Sequence, residues 1–124
     1  MKVEVCSTSI QGIKNAVKAG ADRIELCSGL ELGGITPSKS LIEQAIKLKL
    51  SNIHCLIRPR AGHFTYSKEE VKIIEQDIVF AREVGCNGVV VGALTSEFKL
   101  DLALLSHWEQ LAGSMYLTFH RAID

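Results

Sequence analysis

The sequence lacks an excess of charge of either sign. Its 14 lysines and arginines balance its 14 aspartates and glutamates, so the formal net charge at pH 7 is zero. A general nucleic-acid binder or a protein of anionic membrane surfaces carries a basic excess, because it must neutralise phosphates. We therefore expect neither nucleic acid nor membrane among the partners of this chain.

Cysteine is scarce as well, and nothing at the start of the chain resembles a secretory signal. The first six residues alternate charged and apolar side chains, which is typical of a strand and not of a signal peptide or membrane span. With 47% hydrophobic residues the chain can build an apolar core, so its four cysteines are not needed as a disulfide scaffold. We expect a cytoplasmic protein with free thiols.

What is present is a regular alternation of strand and helix patterns. Helices are predicted from about Ser9, Ser38, Ser67 and Asp101, the third through a capping box formed by Ser67 and Glu70. The predicted strands are Val3–Cys6, Arg23–Cys27, Ile53–Arg58, Gly88–Gly92 and Tyr116–His120. This (βα)₄β order predicts a parallel sheet with right-handed crossovers, either an open doubly wound sheet or part of a barrel.

The two faces of the predicted strands favour the barrel. Strands of a doubly wound sheet are apolar on both faces, because helices cover both. Here one face is apolar and the other is mostly polar, carrying Glu4/Cys6, Arg23/Glu25/Cys27, His54/Leu56/Arg58 and Thr118/His120. A polar face suits the interior and mouth of a (β/α)₈ barrel. We therefore predict an α/β fold, a partial TIM-type barrel covering roughly the first five strands of a domain about twice as long.

Two thiols are the most informative candidates for chemistry. Cys6 and Cys27 end consecutive predicted strands on the same polar face, so their sulfurs can share one metal ion. Two soft thiolates favour Cu(I), and an added imidazole would admit Zn²⁺. The alternatives are that each cysteine only fills space at a strand end, or that the pair forms a disulfide. Neither Cys55 nor Cys86 receives a role.

A second set of polar residues lies at the same predicted strand ends: Glu25, Arg58, Arg60 and His120. A glutamate–arginine ion pair that holds the strands in register would explain them without catalysis. Alternatively, Glu25 is a general base, the arginines clamp a small anionic substrate, and His120 shuttles a proton or binds metal. The glycine-rich loops lack the spacing of a P-loop or dinucleotide fingerprint, so no nucleotide cofactor is expected.

Taken together, the motifs resemble those of the CutC copper-homeostasis family. They are Glu4-Val5-Cys6, Gly20 to Ser28 (GADRIELCS), Gly33 to Ser38 (GGITPS), Ile57-Arg58-Pro59-Arg60, Tyr66-Ser67, Val91 to Thr95 (VGALT) and Thr118 to Ala122 (TFHRA). The resemblance implies one CutC-like domain over residues 1–124, a TIM-type barrel, a cytoplasmic location and copper handling, with Cys6 and Cys27 as Cu(I) ligands. It favours a copper buffer or carrier over an enzyme.

This sequence departs from the family pattern in two places. Ala61 and His63 stand where the family usually has a glycine and an aspartate, which places an imidazole near the mouth in place of an acidic group. Family members are also roughly twice as long, as a complete eight-stranded barrel requires. Because five strands alone expose two sheet edges, we expect self-association into a homo-oligomer.

Overall fold

The computed structural model describes residues 2–119, and in this range strands and helices alternate as expected. The strands are β1 (Glu4–Ser7), β2 (Arg23–Leu26), β3 (Asn52–Leu56), β4 (Gly88–Val91) and β5 (Tyr116–Phe119). The helices are α1 (Ile10–Lys18), α2 (Lys39–Leu48), α3 (Lys68–Val84) and α4 (Leu102–Ala112), with a 3₁₀ turn at Leu30–Leu32. None of these helices is both long and apolar enough to cross a bilayer.

All the strand pairs are parallel, and the strands lie side by side in chain order from β1 to β5. Successive right-handed βα units that all wind in the same direction place each new parallel strand beside the previous one. The predicted parallel sheet is therefore confirmed. Several strands end slightly before their predicted limits, although pairing continues past β3, where the Ile57 amide donates to the Val90 carbonyl at 2.9 Å.

Local sequence signals set the helix ends. The side chains of Ser9, Ser38 and Asp101 each accept a hydrogen bond from a backbone amide in the first turn of the helix that follows. The predicted capping box of α3 is present, with Ser67 and Glu70 satisfying each other's backbone amides. Gly85 ends α3 with φ of 102°, a left-handed conformation that costs glycine little.

The core lies between the sheet and its helices. The apolar strand face predicted from the alternation is buried there, with Ile24, Leu26, Ile53, Val89 and Val91 almost inaccessible to solvent. The opposite strand face forms a separate small cluster of Cys27, Leu56 and Val90. We call this second face the inner face, because it corresponds to the interior of a barrel. Sheet curvature and helix cover thus leave the inner face as the place for a site.

Candidate functional site

The inner face lines an open cavity of about 300 Å³ near the carboxyl ends of the strands. Its lining combines polar side chains from β1, β2, β5 and the loop after β3 with apolar side chains from β3, β4, β5 and the same loop. The lining residues are Glu4, Glu25, Gly33, Leu56, Arg58, Phe64, Val90, Thr118 and Phe119. Carboxyl ends of parallel strands are where βα barrels place their functional groups. Of the predicted site residues, Glu25 and Arg58 line this cavity, whereas Cys6, Cys27 and Arg60 do not.

Cys6 lies directly beside Glu25, because the register of β1 and β2 pairs these two residues. The Cys6 thiol donates a weak hydrogen bond to Oε2 of Glu25 at 3.8 Å. Partial burial, followed by the negative charge of Glu25, raises the pKa of Cys6 to about 11. Burial and the neighbouring Glu4 in turn raise the pKa of Glu25. At neutral pH Cys6 is therefore a thiol, and it becomes a metal ligand only by losing its proton.

Cys27 faces the same side but is far less accessible. It follows β2, and its amide continues the strand pairing by donating to the Ser7 carbonyl at 3.1 Å. Its side chain packs with Leu56 and Val90 and is only 2% exposed, whereas Cys6 is exposed. Burial, followed by the charge of Glu25, raises the pKa of Cys27. The thiols are diagonal neighbours on adjacent strands, and Glu25 takes the position directly opposite Cys6.

The side chain of Arg58 holds loops together. It is buried, and its terminal nitrogens donate to the carbonyls of Leu32 at 3.1 Å, Gly34 at 3.0 Å and Gly62 at 2.9 Å. Its guanidinium also lies 5.0 Å from the ring centre of Phe64. The remaining nitrogen, Nε, is buried without a hydrogen-bond partner. Arg58 therefore lines the cavity, but most of its N–H groups donate to backbone carbonyls. The sequence did not predict this role.

The side chain of Arg60 is bonded within the loop after β3. It forms a salt bridge with Glu70 at the start of α3 and donates to the carbonyls of His63 at 2.6 Å and Thr65 at 2.9 Å. The hydrogen bond from Arg60 is the main reason why the pKa of Glu70 is lowered. Within residues 2–119 Glu25 forms no salt bridge with either arginine, so the predicted glutamate–arginine pair is not found there. His120 lies outside the described residues.

Glu4 is a site residue that sequence reasoning did not select. It lines the cavity, forms a salt bridge with Arg23 and contributes to the raised pKa of Glu25. Its position on the polar face, two residues before Cys6, was the available signal. Between residues 2 and 119 no group of three or more cysteine, histidine or acidic side chains is placed to hold a metal ion. The site instead contains a hydrogen-bonded pair of Cys6 and Glu25, with Cys27 diagonal to Cys6 on the same face.

Comparisons with known proteins agree on one family. A model described as the CutC family matches residues 1–124. The chain is 46% identical to a CutC family protein of Pasteurella multocida, covering 100% of this chain and 51% of that protein. It is 47% identical to one of Vibrio vulnificus, covering 99% and 50%. The chain thus spans about half the length of the curated relatives that it matches.

A solved structure extends the comparison to the fold. The structure is that of a protein named as copper homeostasis protein CutC, from Streptococcus agalactiae. It superposes with a TM-score of 0.91 at 32% identity, covering 100% of this chain and 62% of that chain. The predicted α/β fold, with parallel strands in the arrangement of a partial TIM-type barrel, is confirmed.

Proposed function

The chain belongs to the CutC family, and from that premise we propose that it serves copper homeostasis by binding Cu(I) through Cys6 and Cys27. The proposed role is that of a cytoplasmic buffer or carrier, and no catalytic step is needed for it. The name of the Streptococcus agalactiae relative supports copper as the cargo. No nucleotide cofactor is part of this proposal.

The observation that carries the proposal is the placement of two thiols on the inner face of neighbouring strands. The Cys27 thiol lies near enough to Cys6 to contribute to its raised pKa. Soft thiolates select Cu(I) over the harder divalent ions, whereas carboxylates such as Glu25 select hard cations. A two-thiolate site therefore matches Cu(I), and Glu25 stays outside the ligand set, where it accepts the hydrogen bond of the Cys6 thiol in the metal-free protein.

The test is competition for Cu(I) against a chelating colour-forming probe under reducing conditions. We expect about one Cu(I) per chain, and we expect the variant Cys6→Ser, Cys27→Ser to lose it. The matched control is Cys55→Ala, Cys86→Ala, because these two cysteines are buried in the core between sheet and helices. If the double serine variant competes for copper as well as the parent does, the proposal fails.

The cavity supports a second candidate function, an enzyme acting on a small anionic substrate. Glu25 and Arg58 both line the cavity, so a carboxylate and a guanidinium are available there, with the terminal nitrogens of Arg58 already bonded to backbone carbonyls. Arg60 is turned toward Glu70, so it does not join them. A dicarboxylate probe followed by NMR would test this candidate. Binding that is lost in Arg58→Met but kept in Cys6→Ser, Cys27→Ser would favour the enzyme over the copper carrier.

We propose self-association as well, on the basis of the open sheet. In the described part of the chain, β1 and β5 each have a strand neighbour on one side only. Unpaired edges and an open inner face favour association, and two half-barrels facing each other would cover both. Light scattering tests this directly: we expect a dimer or larger species, and a monodisperse monomer would refute it.

A further inference from the structure

The loop between β2 and α2 covers the Cys27 side chain. We call residues 28–36 the Gly34 loop. The loop closes on itself through two backbone hydrogen bonds between Ser28 and Ile35, at 3.0 and 2.8 Å. Gly34 lies so close to the inner face that a Cβ added there would be 2.9 Å from Cδ2 of Leu56 and 4.0 Å from Cβ of Cys27. This packing, together with the contacts of Cys27 with Leu56 and Val90, buries Cys27 beside an exposed Cys6.

Arg58 fastens the Gly34 loop in this position. Two of its three carbonyl acceptors, Leu32 and Gly34, belong to the loop. The backbone adds a second attachment, because the Arg58 amide donates to Oγ1 of Thr36 at 2.8 Å and the Thr36 amide donates to the Arg58 carbonyl at 2.9 Å. The third acceptor, the Gly62 carbonyl, ties the same guanidinium to the loop after β3. One buried side chain therefore connects both loops at the mouth.

We propose that the Gly34 loop is a gate over Cys27 and that Arg58 is the positioning residue that holds the gate closed. A metal ion reaches Cys6 directly but reaches Cys27 only when the loop lifts, so capture would be stepwise. The consequence for copper rests on the proposed function, since it takes Cys27 as a ligand. The gate itself concerns access to one thiol and holds whether or not copper is the cargo.

The four cysteines provide a test that needs no metal. Each is alkylated by a small neutral reagent such as iodoacetamide, and the rate at each thiol is read by peptide mass spectrometry. Cys6 is exposed and reports the reactivity of an open thiol, while Cys27 reports loop opening. Cys55 is fully buried in the main core, so it reacts only when the whole fold opens and it reports global unfolding, whereas Cys86 lies between α3 and β4 and is not used as a reporter. A local gate is thereby separated from a loss of stability.

Two variants perturb the gate independently. Arg58→Met removes the three hydrogen bonds from the guanidinium to backbone carbonyls but keeps an apolar side chain of similar length. Gly34→Ala pushes a methyl group into Leu56 at a φ of +93° without touching Arg58. The matched control is Gly20→Ala, which has the same kind of backbone strain, with φ of +98°, and nothing within 4 Å of the added Cβ. In Arg58→Met the loop loses two charge-assisted hydrogen bonds, to Leu32 and Gly34, which corresponds to an increase on the order of 100-fold in alkylation of Cys27.

We expect this increase at Cys27 in Arg58→Met and a faster alkylation of Cys27 in Gly34→Ala as well, with Cys55 unchanged in both, and no change at Cys27 in Gly20→Ala. Unchanged alkylation of Cys27 in both gate variants would overturn the gate. A parallel rise at Cys27 and Cys55 in Arg58→Met would make Arg58 a residue of global stability and overturn its role here. If the protein does not bind Cu(I), but the alkylation rate in the gate variants rises only at Cys27, the proposed function is rejected and the gate is supported.

Discussion

Replacing Glu25 by glutamine will lower the pKa of the Cys6 thiol. The register of β1 and β2 places the Glu25 carboxylate 3.8 Å from the Cys6 sulfur, where its negative charge opposes formation of a thiolate. Glutamine keeps the size of the side chain and one carbonyl acceptor but removes the charge. The sign follows directly, because without the charge the thiolate is less disfavoured and the thiol ionises at lower pH.

The size of the effect can be bounded from the structure. The pKa of Cys6 rises from 9.0 to about 11, and burial is the largest cause, so Glu25 accounts for less than half of the rise. Two unit charges about 4 Å apart interact by about 1 kcal/mol in water, which is roughly 0.7 of a pH unit. The variant should therefore have a Cys6 pKa lower by roughly 0.7 unit, and its thiolate fraction at neutral pH should be about fivefold larger.

The assay is the pH profile of alkylation at Cys6, read peptide by peptide. The rate in Glu25→Gln should follow a titration curve displaced to lower pH, with about a fivefold faster reaction at pH 7. The matched control is Glu43→Gln on the exposed face of α2, which makes the same charge change away from the site and should leave the profile in place. A Cys6 pKa that stays constant or increases in Glu25→Gln would refute the reasoning.

Three further predictions concern stability and copper binding. Gly88→Ala should lower the free energy of unfolding by more than about 2 kcal/mol in urea denaturation, because an added Cβ would overlap Nδ1 of His54 and lie 2.8 Å from the Tyr116 carbonyl oxygen. An unchanged urea midpoint would contradict this prediction. Ser67→Ala removes the α3 capping box and should cost about 1 kcal/mol in the same assay, whereas a loss below experimental error would mean that the cap is dispensable. The pKa of each proposed ligand, Cys6 and Cys27, is raised, so both thiols are protonated at neutral pH. Because binding of Cu(I) releases both protons, the affinity should rise about 100-fold per pH unit in competition titrations. A pH-independent affinity would exclude two-thiolate binding.

Much of the fold could be predicted because its signals are local. Alternation along each strand assigned Ile24 and Leu26 to the buried face and Glu25 to the other, which is how the structure places them. The capping box of Ser67 and Glu70 located the start of α3, since both partners lie within one turn. Periodicity and caps act over a few residues, so they are readable without tertiary contacts.

The candidate site was predictable only in part. The polar faces of the first two strands placed Cys6, Cys27 and Glu25 together on the inner face. The roles of the arginines were not predictable, because Arg58 and Arg60 follow the same strand and carry the same charge. In the structure Arg58 turns to the Gly34 loop and Arg60 to Glu70. The expected role of His120 stays a prediction.

The sequence by itself determined the order of strands and helices, the face on which each strand side chain lies, and the family to which the chain belongs. These depend on patterns repeated within short segments. Only the tertiary structure decided that Glu25 sits opposite Cys6, that Cys27 is covered, and that Arg58 fastens the covering loop. Those facts depend on strand register and on contacts between residues about 20 or more positions apart, which are set by the packing of the whole sheet and not by any one segment.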